Sequence, residues 1–586
     1  MRPPRPLPRR PERPGARSYP VPPPPIETAP ARPAPVVRVP LGPVLLAAVV
    51  AAGAALRLSG LDATALTVRE ARQAFAAWAV AQGVRPPEWT ADATSVLTSH
   101  LFRLGADGDA WPRLVSALAG ALLVLAVYAI ARPGGNSVAF IASALVALSP
   151  TAVAGSRTAS PGALGALVAA LLAAAILWHW QRPRPLALWA AGLMAGLALG
   201  TDAAGMTGLL GCLLFLAMAA WSDDASWREA AAYFRRWPWA SALGLGVGIL
   251  LSIVHWGDGA AGPLAAPRLW GELFALPGDA PALLPALALF LYDWPLALLG
   301  LVGAVLVLRD ALWSGGLRAL PPWERMALCW LAPGLLVLLA STGWHEGALV
   351  VLAVPLSLLG TRAFAWAASL PGWRQPERWT PVTVLVLCCV VASGIVWTLW
   401  ARPFTEVSMA EVLGVWGAGM LALWGLWLGS RYLGAGAAVA GGLAAVAALA
   451  VLFWPHTLWA VGFHAGSEPL LGPRFTSAMP VVERELAGLA GPDLPVTLSP
   501  QTAPVLGWRL RHLPLVVGDP PSESSVYVTE EGSPAPRGFA PLGPARAVAQ
   551  NWRWRGIDGL GVWRWLLLRE PYGPADTWEV QVMVRT

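Results

Sequence analysis

The chain has 586 residues, of which 56% are hydrophobic and only 13% charged. That is about half the ~25% charged content of soluble proteins, so most of this chain belongs in a membrane. The net charge of +7 is modest for the length, and no basic stripe with interleaved aromatics lies outside the apolar runs, so nothing points to a nucleic-acid partner. Every basic residue is arginine, which alongside the abundant Ala, Gly and Pro reads as codon bias. Cys212, Cys329, Cys388 and Cys389 all sit in apolar runs and suggest packing, with neither a disulfide framework nor a metal site.

Residues 1–40 form a Pro/Arg-rich tail with little to bury, predicted to be disordered and locally polyproline-like. No short apolar stretch with a cleavage site follows it directly, so it does not read as a signal peptide. From residue 41 to 455 the chain is a series of apolar runs of spanning length. They lie near 41–58, 113–131, 137–154, 161–180, 185–201, 204–221, 238–256, 283–307, 326–342, 347–367, 380–400, 410–429 and 433–454, about thirteen spans flanked by many Trp residues. With the tail in the cytoplasm, thirteen arginines fall in inner connections and three, Arg157, Arg268 and Arg402, in short outer ones. The positive-inside rule then puts the N-terminus in the cytoplasm of a multi-pass plasma-membrane protein, and both the long first loop, 59–112, and the C-terminus outside.

Residues 456–586 change in texture. Short β-like runs begin at Pro495, Leu513, Ser525, Val562 and Trp578, separated by Gly/Pro-rich turns, and a helix with Val481, Val482, Leu486 and Leu489 precedes them. A small extracytoplasmic α/β domain follows from this pattern.

The first outer loop holds the most informative stretch. Thr67 and Glu70 fit a capping box, so a helix is predicted from Val68. Ala71, Ala74, Phe75 and Trp78 share one side of it, an amphipathic face suited to a membrane surface. Glu70 has two readings: a cap that closes the helix start, or a carboxylate that takes a proton from an acceptor hydroxyl. Asp293, inside an apolar span, is a candidate site residue because an intramembrane acid is costly unless paired.

Further motifs follow in order: Asp109-Ala-Trp-Pro-Arg-Leu-Val-Ser-Ala-Leu-Ala-Gly, Leu148-Ser-Pro-Thr-Ala-Val-Ala-Gly-Ser-Arg-Thr-Ala-Ser, Tyr292-Asp-Trp-Pro, Trp344-His-Glu-Gly and Trp508-Arg-Leu-Arg. With the topology, they resemble the GT-C superfamily of membrane glycosyltransferases, in the dolichyl-phosphate-mannose–protein mannosyltransferase-like branch and its flippase-activity-associated group. The resemblance covers about residues 41–570 and implies a GT-C-like α-helical polytopic fold. It implies transfer of a sugar from a polyprenyl-phosphate donor to an acceptor glycan, lipid or protein on the outer face, or a catalytically degenerate accessory role in lipid-linked glycan assembly. The family's acidic pair falls on Arg69 and Glu70, which makes Glu70 the candidate catalytic residue and leaves Asp62 and Asp92 as other loop acids. Arg69, Arg72 and Arg157 are candidates for the lipid phosphate, and His345 and Glu346 lie where the family contacts its lipid donor. The superfamily allows a divalent ion, but no dense Asp/Glu cluster offers a metal site here.

Overall fold

The computed structural model describes residues 41–83, 93–222, 225–256, 284–340, 346–369, 457–458, 474–490, 495–519, 525–552 and 575–586. Ten of the predicted spans fall on described helices; those at 380–400, 410–429 and 433–454, like the tail 1–40, lie outside the described residues. Helix α1 is Leu41–Leu58, α2 Val68–Ala81, α3 Ala93–Arg103 and α4 Trp111–Ala131. Then follow α5 (Asn136–Leu148), α6 (Pro150–Arg157), α7 (Gly162–Gln181), α8 (Pro185–Ala198), α9 (Ala203–Ser222), α10 (Ala225–Arg236) and α11 (Pro238–Trp256). The membrane part continues with α12 (Leu284–Trp313), α13 (Pro322–Ala340) and α14 (Glu346–Ser369). Among the described residues six helices are long and apolar enough to cross a membrane, and the bent pair α5–α6 makes a seventh. Leu123, Leu145, Ala166, Phe215, Trp330 and Leu356 belong to one apolar core that these helices share.

Among the described residues two spans are broken, each at a proline. The sequence reading took 137–154 as one helix, but α5 ends at Leu148 and α6 leaves at a 56° bend. Pro150 has no N–H to continue the ladder and disfavours helical geometry in the residue before it. Ser149 accordingly adopts φ −61°, ψ 118°, and its hydroxyl caps α6 by accepting from the Ala152 N–H at 3.1 Å. In α12, Asp293 is non-helical (φ −141°, ψ 37°) two residues before Pro295. The two breaks meet: Asp293 accepts hydrogen bonds from the Ser149 hydroxyl and, at 2.8 Å, from that of Thr151.

Among the described residues the C-terminal part carries a seven-stranded sheet of order β1-β6-β7-β4-β2-β3, with β5 also on β7. The strands are β1 (Arg474–Phe475), β2 (Val496–Leu498), β3 (Leu515–Val517), β4 (Val526–Glu530), β5 (Phe539–Pro541), β6 (Arg546–Trp552) and β7 (Ala575–Arg585). Helix α15 is Met479–Leu489 and α16 is Ala503–Leu510. Strand β2 pairs parallel to both β3 and β4, so its connection to β3 crosses over through α16. Four of the strand-like runs fall on or beside β2, β3, β4 and β7, and the run from Val562 lies outside the described residues.

One expectation changes here. The apolar face of α2 does not lie on a membrane surface. Phe75, Ala71 and Ala74, with Leu66 and Phe102, share a core with Val482, Leu506, Trp508, Val528 and Val580. The sheet domain offers a preformed apolar partner, and burying the face there removes it from water as well as lipid would. The first long loop and the C-terminal domain therefore lie at the same end of the bundle.

Candidate functional site

Glu70 sits in the first turn of α2, where the capping box forms as the sequence predicts: its backbone N–H donates to the Thr67 hydroxyl (3.2 Å), and Thr67 N–H donates to Glu70 Oε2 (2.8 Å). Arg113, in the first turn of α4, reaches the same carboxylate with two donors, Nε to Oε1 at 2.6 Å and Nη2 to Oε2 at 2.8 Å. The Ala159 N–H donates to Oε1 at 3.1 Å. Both partners are buried, with side chains 3% and 6% exposed.

A carboxylate offers about four lone-pair sites, and on Glu70 four donors meet them. Burial alone pushes this carboxyl up; the Arg113 charge, its hydrogen bonds and the Thr67 and Ala159 amides outweigh that and hold it below its ordinary range. Glu70 is thus an ionised anchor with no lone pair turned to an acceptor hydroxyl in this conformation. The capping reading describes its geometry, with an ion pair added that the capping box alone does not disclose.

The anchor draws three sequence motifs together. Thr67–Glu70 supplies the acid, the motif from Asp109 supplies Arg113, and the motif from Leu148 supplies the Ala159 amide. A fourth joins at the helix breaks, through Asp293 on Ser149 and Thr151. Gly120, which ends the second motif, packs where a Cβ would stand 2.0 Å from the Ser156 hydroxyl, so α4 and α6 come this close only without a side chain.

Arginines also clamp the turn between α1 and α2. Arg113 Nη1 donates to the carbonyls of Leu61 and Thr64, both at 2.7 Å. Arg157 Nη1 donates to the carbonyls of Leu56 (2.9 Å) and Ser59 (2.7 Å), and its Nη2 to that of Gly60 (3.0 Å). Arg157 is 7% exposed, so it is a buried clamp in this conformation and not a solvated arginine. Arg57, fully buried, holds the carbonyls of Gly53, Ala147 and Val146. Arg57 and Arg113 were missed as site residues, although an arginine at the edge of an apolar span demands partners and so signals a built site.

The remaining candidates are dispersed. Arg69 is half-buried and Arg72 exposed on α2, and Asp293 is fully buried. His345 and Asp92 lie outside the described residues; Glu346 opens α14. Asp62 is exposed on the clamped turn and, among the described residues, has no hydrogen bond or ion pair, whereas Asp107 and Asp109 of the same loop are both engaged. Among the described residues no three His, Cys, Asp or Glu gather as a metal site.

With this geometry in view, the chain can be set beside known proteins. Two crystal structures of ArnT from Cupriavidus metallidurans share its architecture. The form bound to undecaprenyl phosphate matches with TM-score 0.53 at 16% identity, over 93% of this chain and 98% of that one. The apo form matches with TM-score 0.50 at 17% identity, over 82% of this chain and 86% of that one. The fold is therefore that of the GT-C membrane glycosyltransferases. A family model described as dolichyl-phosphate-mannose-protein mannosyltransferase matches residues 94–256, within the membrane part of the chain. No curated protein sequence matches the chain.

Proposed function

We propose that this chain binds a polyprenyl-phosphate-linked sugar at the loop end of its bundle and transfers the sugar to an acceptor on the outer face of the membrane. The observation that carries the reading is the near full-length correspondence with a protein that binds undecaprenyl phosphate in its crystal. In the reaction the acceptor oxygen attacks the anomeric carbon, the bond from that carbon to the phosphate oxygen breaks, and polyprenyl phosphate leaves with the electron pair. The acceptor proton goes to a carboxylate. Glu70 was the sequence candidate for that step, but its lone pairs are filled, so we assign it to Asp62, which the arginine-clamped turn presents to solvent. Glu70 and Arg113 hold the loop, and the exposed Arg72, with Arg69, meets the departing phosphate by charge-assisted hydrogen bonds.

A specific observation also favours a second reading. Arg69 stands where the family pattern has an acid, and Glu70 is fully occupied, as expected of a relative that kept the fold as an accessory to lipid-linked glycan assembly. One experiment separates the two. The protein is reconstituted in liposomes with undecaprenyl-phosphate-linked sugars and a membrane extract as acceptor source, and release of undecaprenyl phosphate is measured. Transfer predicts release that Asp62→Asn cuts by about a hundredfold, within the usual 10²–10⁴ value of general-base help. Release unchanged by the substitution removes Asp62 from the mechanism, and no release from any donor leaves the accessory reading.

From the arginine asymmetry we also propose a cytoplasmic N-terminus and a C-terminal domain on the outer side. Reporter fusions after Arg38 and after Gly466 should therefore report opposite sides, and the same side for both would overturn the placement.

A further inference from the structure

The Trp508-Arg-Leu-Arg motif is not part of the ion-pair site, yet it touches the loop at Asp109. The Trp508 indole is fully buried between Phe102 (ring centroids 5.3 Å apart) and the Arg511 guanidinium, 3.8 Å from the ring centre. Its N–H donates to Asp109 Oδ1 at 2.9 Å. The other oxygen of Asp109 accepts from the Leu66 N–H at 3.4 Å. Asp109 lies two residues before α4, which carries Arg113, and Leu66 immediately precedes the cap of α2, which carries Glu70. One carboxylate thus ties together the approaches to both helices of the anchor, and the C-terminal domain orients that carboxylate. Next to it, Gly507 packs so closely under Phe75 that a Cβ would stand 2.6 Å from the ring.

We propose that the C-terminal domain is the positioning element of the reaction face, and that Trp508 is its positioning residue, acting through Asp109 on the Glu70–Arg113 anchor. An indole N–H directed at a carboxylate fixes where the loop sits, a job that apolar burial alone, being non-directional, does not do. The turn bearing Asp62 is held by the same Arg113, so a shift of the anchor displaces it too.

The kinetic part of the test rests on the transfer reading above; the exchange part does not. Trp508→Phe keeps a packed ring and removes the N–H. In the full-length protein in nanodiscs, amide exchange of residues 66–81 should rise about tenfold, the size of one lost hydrogen bond to a charged group, while exchange in strands β4 and β7 stays at wild type. In the liposome assay kcat should fall by a similar factor with KM for the undecaprenyl-phosphate sugar unchanged. Asp109→Asn, whose one carbonyl oxygen can accept from the Trp508 or the Leu66 N–H but not from both, should raise exchange at residues 66–81 by a similar factor. Unchanged exchange at residues 66–81 in Trp508→Phe would overturn the proposal. So would a change confined to β4 and β7, or a rise in KM at constant kcat. A wild type that transfers no sugar counts against the enzyme reading alone, because the exchange result still decides the positioning role.

Discussion

Among the described residues the first long loop is held by two arginine–carboxylate pairs that are alike in length and unlike in setting. Arg113 and Glu70 meet at 2.6 Å against the membrane bundle, with side chains 6% and 3% exposed. Arg511 and Asp107 also meet at 2.6 Å, at the edge of the C-terminal domain, with side chains 19% and 78% exposed. In water the second pair is screened and its partners are well solvated when apart, so it contributes between nothing and about 1 kcal/mol. The buried pair has no such alternative: removing one partner strands the other charge in a low-dielectric site, which costs about 3–5 kcal/mol. The same contact therefore anchors in one place and trims in the other. What separates them is the protein around them, which also supplies the Thr67 and Ala159 amides to Glu70.

The largest effect should come from Arg113→Met, which leaves Glu70 buried without its cation. The loop should lose about 3–5 kcal/mol of local stability, read as loss of amide protection at residues 66–81. Acid should act on the same pair. The Glu70 carboxyl is held below its ordinary 4.5, so the folded loop binds its proton less readily than the unfolded chain does. Its contribution is then complete above about pH 4.5 and is lost as the pH falls through the depressed folded value. Protection measured from pH 7 down to pH 5 should be flat and should fall below that, while a loss centred between pH 6 and 7 would point to a different group. The smallest effect should come from Arg511→Gln. Removal of the exposed pair should cost no more than about 1 kcal/mol and vanish at high salt, apart from lost stacking on Trp508. A salt-insensitive loss as large as that of Arg113→Met would erase the distinction between the two pairs.

Much of the membrane architecture was legible because apolar length is a direct consequence of the bilayer. The helix start at Thr67–Glu70 was legible too, since a capping box is local. Three things were not. The break at Ser149 was hidden inside a run whose hydropathy does not change, although Pro150 marks it. The partner of the α2 apolar face was about 400 residues away in sequence, and periodicity gives a face without naming what covers it. Strand β6, Arg546–Trp552, was missed because half of its run is Ala, Gln and Asn, and it forms through pairing with β7 and not through propensity. As for the site, its motifs were found in the right order. Their convergence on Glu70, and the saturation of its lone pairs, depend on contacts that only the fold creates.

The central claim is that the buried Glu70–Arg113 pair, far more than the exposed one, sets the loop. The most direct measurement is amide exchange at residues 66–81 in Arg113→Met, in Arg511→Gln and in the double variant Glu70→Gln/Arg113→Met. The single Arg113 change should open the loop and the Arg511 change should scarcely register. The double variant, which removes the stranded charge and leaves an amide oxygen for the Thr67 or Ala159 N–H, should recover part of the protection, the carbonyls of Leu61 and Thr64 staying without their Arg113 donor. Equal exchange in the two single variants, or no recovery in the double, would contradict the account.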